Sequence, residues 1–148
     1  PDSLFTVLQA LQATFENIII DGGSDLNENT VTYMDSSDKI LLVLNPDLAS
    51  MRDARQFIEV ASILSYPKDK ILLILYQAGR KGEIKSADIE DILKVDIFAT
   101  IPADENMVFR SLNEGVPILL KKSRHPISRA IKKLAKDLVK ARAVQKEA

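Results

Sequence analysis

The 148-residue sequence has no cysteine and no tryptophan, a single histidine and only five glycines. Without cysteine, disulfides and thiolate metal sites are excluded. One histidine rules out a histidine-rich metal centre. The apolar runs are far shorter than the roughly 20 residues a membrane-spanning helix requires. No secretory signal pattern opens the sequence, so the cytoplasm is the expected location. Aromatic residues make up 5% of the chain and are scattered, so no base-stacking platform for nucleic acid is visible. A further gap is a motif: the glycine-rich phosphate loop GxxxxGK(S/T) occurs nowhere. Gly79-Arg80-Lys81-Gly82 has glycines and a lysine, but at the wrong spacing.

What is present fits one soluble globular domain. The apolar fraction of 46% and the charged fraction of 28% are both ordinary for such a domain. The net charge of −1 hides an asymmetry. Residues 121–148 hold ten of the twenty Lys and Arg and only two acids, a net +8. Residues 1–120 carry a net −9. An acidic body is therefore followed by a basic tail.

Apolar periodicity alternates between helix and strand along the chain. Leu4, Leu8, Leu11 and Phe15 share one face of a first helix, which Asp2 or Ser3 can cap. Ile18-Ile19-Ile20 reads as a short apolar strand, and a short helix follows from about Asn27 to Asp35. Residues 39–44, 71–75 and 97–101 read as three more strands. Between them, residues 48–65 form a helix with Met51, Ala54, Ile58 and Ala61 inward, and Ser86 caps another with Ile89, Ile92 and Leu93 inward. A helix over about 106–113 and a turn at Gly115-Val116-Pro117 come next. Pro126 starts the last helix, expected to reach about residue 142. Continuous apolar strands alternating with helices point to an α/β fold, a mostly parallel sheet with helices on both faces. Ligands in such sheets bind beyond the carboxyl ends of the strands. Four segments stand there: Asp21-Gly22-Gly23, Asn45-Pro46-Asp47, Tyr76-Gln77 and Pro102-Ala103-Asp104.

In NIIIDGGS, residues 17–24, three isoleucines run into an aspartate and two glycines. One reading is a strand stopping at an ordinary Asp-Gly turn. The other is a carboxylate fixed beside a nucleotide phosphate, where it holds a magnesium-bound water. The last helix raises a similar choice. Ile127, Ile131, Leu134 and Leu138 form an apolar stripe, with Arg129, Lys132, Lys133, Lys136 and Lys140 largely elsewhere. It is either a terminal helix packed on the sheet with a solvated outer face, or a contact for nucleic-acid phosphates or an anionic membrane. It has no Trp or Phe anchor. His125, just before Pro126, reads as a capping or surface residue.

Residues 38–77 and 79–138 together resemble the ParA/MinD family of dimerising ATPases, the deviant Walker A family. The resemblance is carried by a strand ending near Pro46 and a helix with Ser50-Met51-Arg52-Asp53. It continues in Ile101-Pro102-Ala103-Asp104, Asn113-Glu114-Gly115-Val116-Pro117 and the Pro-led basic helix. The match covers residues 16 to about 140, and the branch of pilus-assembly and pole-localisation ATPases looks most similar. The resemblance implies a Rossmann-like P-loop NTPase fold with ATP and Mg2+ as cofactors. Asp21 then matches the Walker B aspartate, which contacts magnesium through water. Gly22, Gly23 and Ser24 match the switch loop. Pro102, Ala103 and Asp104 border the adenine, and Tyr76 with Gln77 stands where the family carries its adenine-reading Asn. Implied partners are a second copy in an ATP-dependent homodimer, a protein that stimulates hydrolysis, and a DNA or membrane matrix contacted by the basic helix. The location is then cytoplasmic, at the periphery of membrane or nucleoid.

Two departures matter: Asp-Gly-Gly replaces the family's Asp-Ser/Thr-Pro, and Tyr76 replaces Asn. The family's phosphate loop, its lysines and its catalytic aspartate lie upstream of the Walker B strand. Residues 1–148 are therefore expected to be the C-terminal part of a single P-loop ATPase domain, incomplete at its N-terminus, with 121–148 as a basic C-terminal helix. The alternative is a non-catalytic scaffold or partner-binding relative that has lost the phosphate loop. The first option implies a sheet lacking its central strand, poorly stable alone.

Overall fold

The structure, a computed structural model, describes residues 2–78 and 82–146. Residues 79–81 of the expected polar loop, and the side chains of Gln77 and Ala78, lie outside what is described. The chain divides into two compact units, Pro1–Ile40 and Leu41–Ala148.

The first unit pairs helix α1 (Asp2–Thr14) with helix α2 (Glu28–Ser36). Leu8 and Met34 are its buried residues, and Gln12 Nε2 donates to the Ser36 carbonyl at 2.9 Å. Asn27 caps α2, its side-chain oxygen accepting from the N–H groups of Asn29 and Thr30. Phe15, expected on the inner face of α1, lies past the helix end and is exposed.

The strand expected at Ile18-Ile19-Ile20 does not form. These residues are irregular chain between α1 and α2, and Ile19 is 96% exposed. A strand needs a neighbour to accept and donate its ladder hydrogen bonds. The described residues of this unit contain no other strand before the sheet begins at Ile40.

The second unit is built on a three-stranded parallel sheet, ordered β1 (Ile40–Leu44), β2 (Ile71–Ala78), β3 (Ile97–Pro102). Between strands come α3 (Leu48–Ile63), a single 3-10 turn at Lys68–Lys70 and α4 (Ser86–Leu93). After β3 follow α5 (Glu105–Glu114), the short α6 (Ile118–Lys121) and α7 (Pro126–Lys146). The main core joins Leu44, Leu73 and Leu75 of the sheet to Met51 and Ala54 of α3 and Ile89 and Leu93 of α4. Leu42, Ile58, Ile84, Val95 and Ile97 pack around it. Ile74, on the other face of β2, is equally buried, and α7 packs against β3. On β1 the alternation is plain: Leu42 and Leu44 turn inward, while Leu41 and Val43 are exposed.

Local chemistry sets the helix ends. Asp47 caps α3 through Ser50 N–H at 2.8 Å, and Asp104 caps α5 through Met107 N–H at 2.9 Å. Gly115 ends α5 in the left-handed region at φ 62°, where glycine carries no Cβ penalty. Ser86 proves to be the first residue of α4 rather than its cap. The Lys85 carbonyl already accepts from Asp88 and Ile89, so Lys85 takes the cap position. Ile92, expected inward with Ile89 and Leu93, is half exposed, because those two, four apart, define the buried line.

Candidate functional site

Because the sheet is parallel, the carboxyl ends of its strands share one edge. Three of the four expected segments stand there: Asn45-Pro46-Asp47 after β1, Tyr76-Gln77-Ala78 closing β2, and Pro102-Ala103-Asp104 closing β3 and opening α5. Tyr76 pairs with Ile101, and Ala78 with Pro102. The register shifts between these pairs, so Gln77 is an extra residue at the edge. Such irregularities bend a strand end and re-aim its side chains. The Ile84 N–H donates to the Pro46 carbonyl at 3.1 Å, fastening the chain after β2 to the same edge.

Tyr76 is half-buried, as are Pro102, Ala103 and Asp104. Asp104 has both carboxylate oxygens engaged. Oδ1 accepts from Met107 N–H, and Oδ2 lies 3.1 Å from His125 Nε2. His125 in turn caps α7: its Nδ1 accepts from the Ile127 N–H at 3.3 Å. The capping reading of His125 thus has direct geometry behind it. The bond to Asp104 was not legible, since 21 residues separate the partners. The one available signal was a polar residue directly before a helix-starting proline.

The remaining expected residues, Asp21, Gly22, Gly23 and Ser24, belong to the first unit and are exposed. Asp21 does not end a strand. Its Oδ1 accepts from the Gly23 N–H at 3.2 Å, a turn in which Gly23 adopts φ 69°. This turn leaves its second oxygen unengaged, and a single exposed carboxylate can meet a metal ion directly or through a bound water. Among the described residues, no group of three or more His, Asp or Glu side chains is placed to hold a metal. The described residues thus offer one exposed carboxylate toward magnesium and no cluster that would form a metal site of its own.

The expected outer face of the basic helix is present. Arg129, Lys132, Lys133, Lys136 and Lys140 are exposed on α7, while Ile127 is buried and Ile131, Leu134 and Leu138 are half-buried. Lys133 pairs with Asp137 at 2.9 Å, and the Lys132 ammonium donates to the Ser123 carbonyl. Among the described residues no helix is long and apolar enough to cross a membrane.

No protein-family model matches the chain. It is 32% identical over 135 residues to an uncharacterised ATP-binding protein of Methanocaldococcus jannaschii, covering 90% of the chain and 50% of that relative. Among solved structures it resembles a ParA family ATPase from Chlorobium tepidum, with a TM-score of 0.82 and 26% identity over 88% of the chain and 54% of that protein. It also resembles the septum site-determining protein MinD of Pyrococcus horikoshii, solved with Mg-ADP, with a TM-score of 0.78 and 26% identity over 92% of the chain and 55% of that protein. The chain spans about half the length of the curated relatives it matches. The sequence and fold comparisons agree across nearly all of the chain: it is similar in both to ATPases of the ParA/MinD family.

Proposed function

We propose that this chain contributes the base-side edge of a nucleotide site. The intact protein then binds ATP with magnesium and hydrolyses it, using the nucleotide as a dimerisation switch for intracellular positioning, partitioning or pilus assembly. The observation that carries this reading is the convergence of Tyr76, Gln77, Pro102, Ala103 and Asp104 on one carboxyl edge of a parallel sheet. That edge is where such folds take their ligands. A relative described as ATP-binding and a similar structure solved with Mg-ADP support it.

Each residue has a role in this reading. The Tyr76 ring stacks on the base. Pro102, Ala103 and Asp104 border it through their main chain, since the Asp104 carboxylate is already engaged. Gln77 lies beside them at the register shift. Asp21 contacts magnesium through water, and Gly22, Gly23 and Ser24 form the loop that responds to the γ-phosphate. The phosphate loop and catalytic residues come from other parts of the intact protein. The protein acts in the cytoplasm, at a membrane or nucleoid periphery, where the exposed cations of α7 face an anionic matrix and a protein partner stimulates hydrolysis.

A second reading is a non-catalytic scaffold on the same fold. The local engagement of Asp21 and Asp104 favours it. Isothermal titration of the intact protein with ATP separates the two. Magnesium-dependent binding with hydrolysis supports the switch, and no nucleotide binding supports the scaffold.

A further inference from the structure

We propose that His125 is a positioning residue for the turn Pro102-Ala103-Asp104 and couples the start of α7 to that edge of the sheet. The proposal rests on the reading of this edge as a nucleotide border.

The tautomer follows from the contacts. His125 Nδ1 accepts from the Ile127 N–H at 3.3 Å, so Nδ1 carries no proton. The neutral ring then carries its proton on Nε2, 3.1 Å from Asp104 Oδ2. An N–H donating to a carboxylate is a charge-assisted bond, stronger and more directional than a neutral one. The imidazole side chain is 18% exposed and the Asp104 side chain 37% exposed, so water competes only in part.

The backbone that carries the ring is anchored. The His125 N–H donates to the Lys122 carbonyl at 2.9 Å, and its carbonyl accepts from Arg129 N–H at 2.9 Å. Two residues on, Ile127 is buried at 3% exposure, and α7 packs against β3. The imidazole is thus a short rigid strut from an anchored helix start to the carboxylate that opens α5. Asp104 receives this strut on Oδ2 and the Met107 N–H on Oδ1. Two independent bonds hold the carboxylate and restrain the start of α5 at Asp104.

Capping and positioning are separable by chemistry. Asparagine places an amide oxygen where imidazole has Nδ1, so His125→Asn keeps the cap of α7. Its side chain is too short to reach Asp104. Glutamine places its amide nitrogen near the reach of Nε2, so His125→Gln keeps the strut and weakens the cap.

The test uses the intact protein. Steady-state hydrolysis of Mg-ATP is measured for wild type, His125→Asn and His125→Gln, and the imidazole nitrogens are observed by 15N NMR. Wild-type His125 is expected as the Nε2–H tautomer. His125→Asn is expected to raise KM about tenfold with kcat within about twofold, and His125→Gln to stay near wild type. An Nδ1–H tautomer overturns the strut. So does a folded His125→Asn with wild-type KM, or equal loss in both variants, while nucleotide binding by the wild type keeps the functional reading. A wild type that binds no nucleotide overturns both.

Discussion

Glu90 Oε1 accepts a hydrogen bond from the Ile97 N–H at 2.8 Å, seven residues on. A side chain of α4 thereby satisfies the first donor of β3, and the tight passage through Val95 and Asp96 keeps its geometry. Removing that acceptor leaves a part-buried N–H without a partner. Glu90→Ala is expected to destabilise the intact protein by about 1–3 kcal/mol, while Glu90→Gln, which keeps an acceptor, costs less. Urea denaturation of both variants checks this, and a Glu90→Ala midpoint equal to wild type contradicts it.

Lys94 closes α4 in the left-handed region at φ 54°, where a side chain is unfavourable and glycine is at ease. Its ammonium donates to Asp91 at 2.6 Å, but both side chains are more than 70% exposed, so the pair adds little. Lys94→Gly is therefore expected to stabilise by about 0.5–1 kcal/mol. The hydrogen bond from Lys94, then its charge, holds the Asp91 carboxyl below its ordinary range. A lowered carboxyl contributes stability above its unfolded pKa and loses it as pH falls through the folded value. The advantage of Lys94→Gly should thus widen in acid, as the wild type loses its pair. Thermal unfolding from neutral pH to about pH 3 measures it, and a narrowing gap contradicts it.

The Tyr76 ring is half-buried and stands opposite Ile101 at the sheet edge. A ring stacked on a base gives affinity without reading the base edge, since every base has a π-face. Tyr76→Ala is expected to weaken ATP and GTP together by about 1–3 kcal/mol. Titrating both nucleotides tests this. Unchanged affinity in a folded variant removes Tyr76 from the site, and a loss confined to ATP means the hydroxyl reads the adenine edge.

β1 and β3 were legible as largely apolar runs followed by the helix-start signals Pro46-Asp47 and Pro102-Ala103-Asp104, and β2 as the apolar run over 71–75. Ile18-Ile19-Ile20 has the same composition and forms no strand. Composition states that a segment tolerates a ladder, and only a neighbouring strand supplies one. Helix faces were legible where four-residue spacing is strict, as at Ile89 and Leu93, and failed at Ile92 and Phe15, beside or beyond that line. At the sheet edge the positions of Tyr76, Gln77 and residues 102–104 were legible, whereas their partners were not, and the strand expected before Asp21 did not form. The Asp104–His125 bond joins two helix starts, and the Glu90–Ile97 bond joins the middle of α4 to the start of β3.

The most direct test of the account is the rate of magnesium-dependent ATP hydrolysis by the intact protein, wild type against Asp21→Asn. Asparagine keeps the side-chain oxygen that accepts from the Gly23 N–H, so the turn survives and only the charge is removed. With Asp21 facing a magnesium-bound water, the variant is expected to fold normally and lose about 10–100-fold in activity. Hydrolysis at the wild-type rate makes Asp21 a turn residue alone, and a wild type with no magnesium-dependent hydrolysis contradicts the switch.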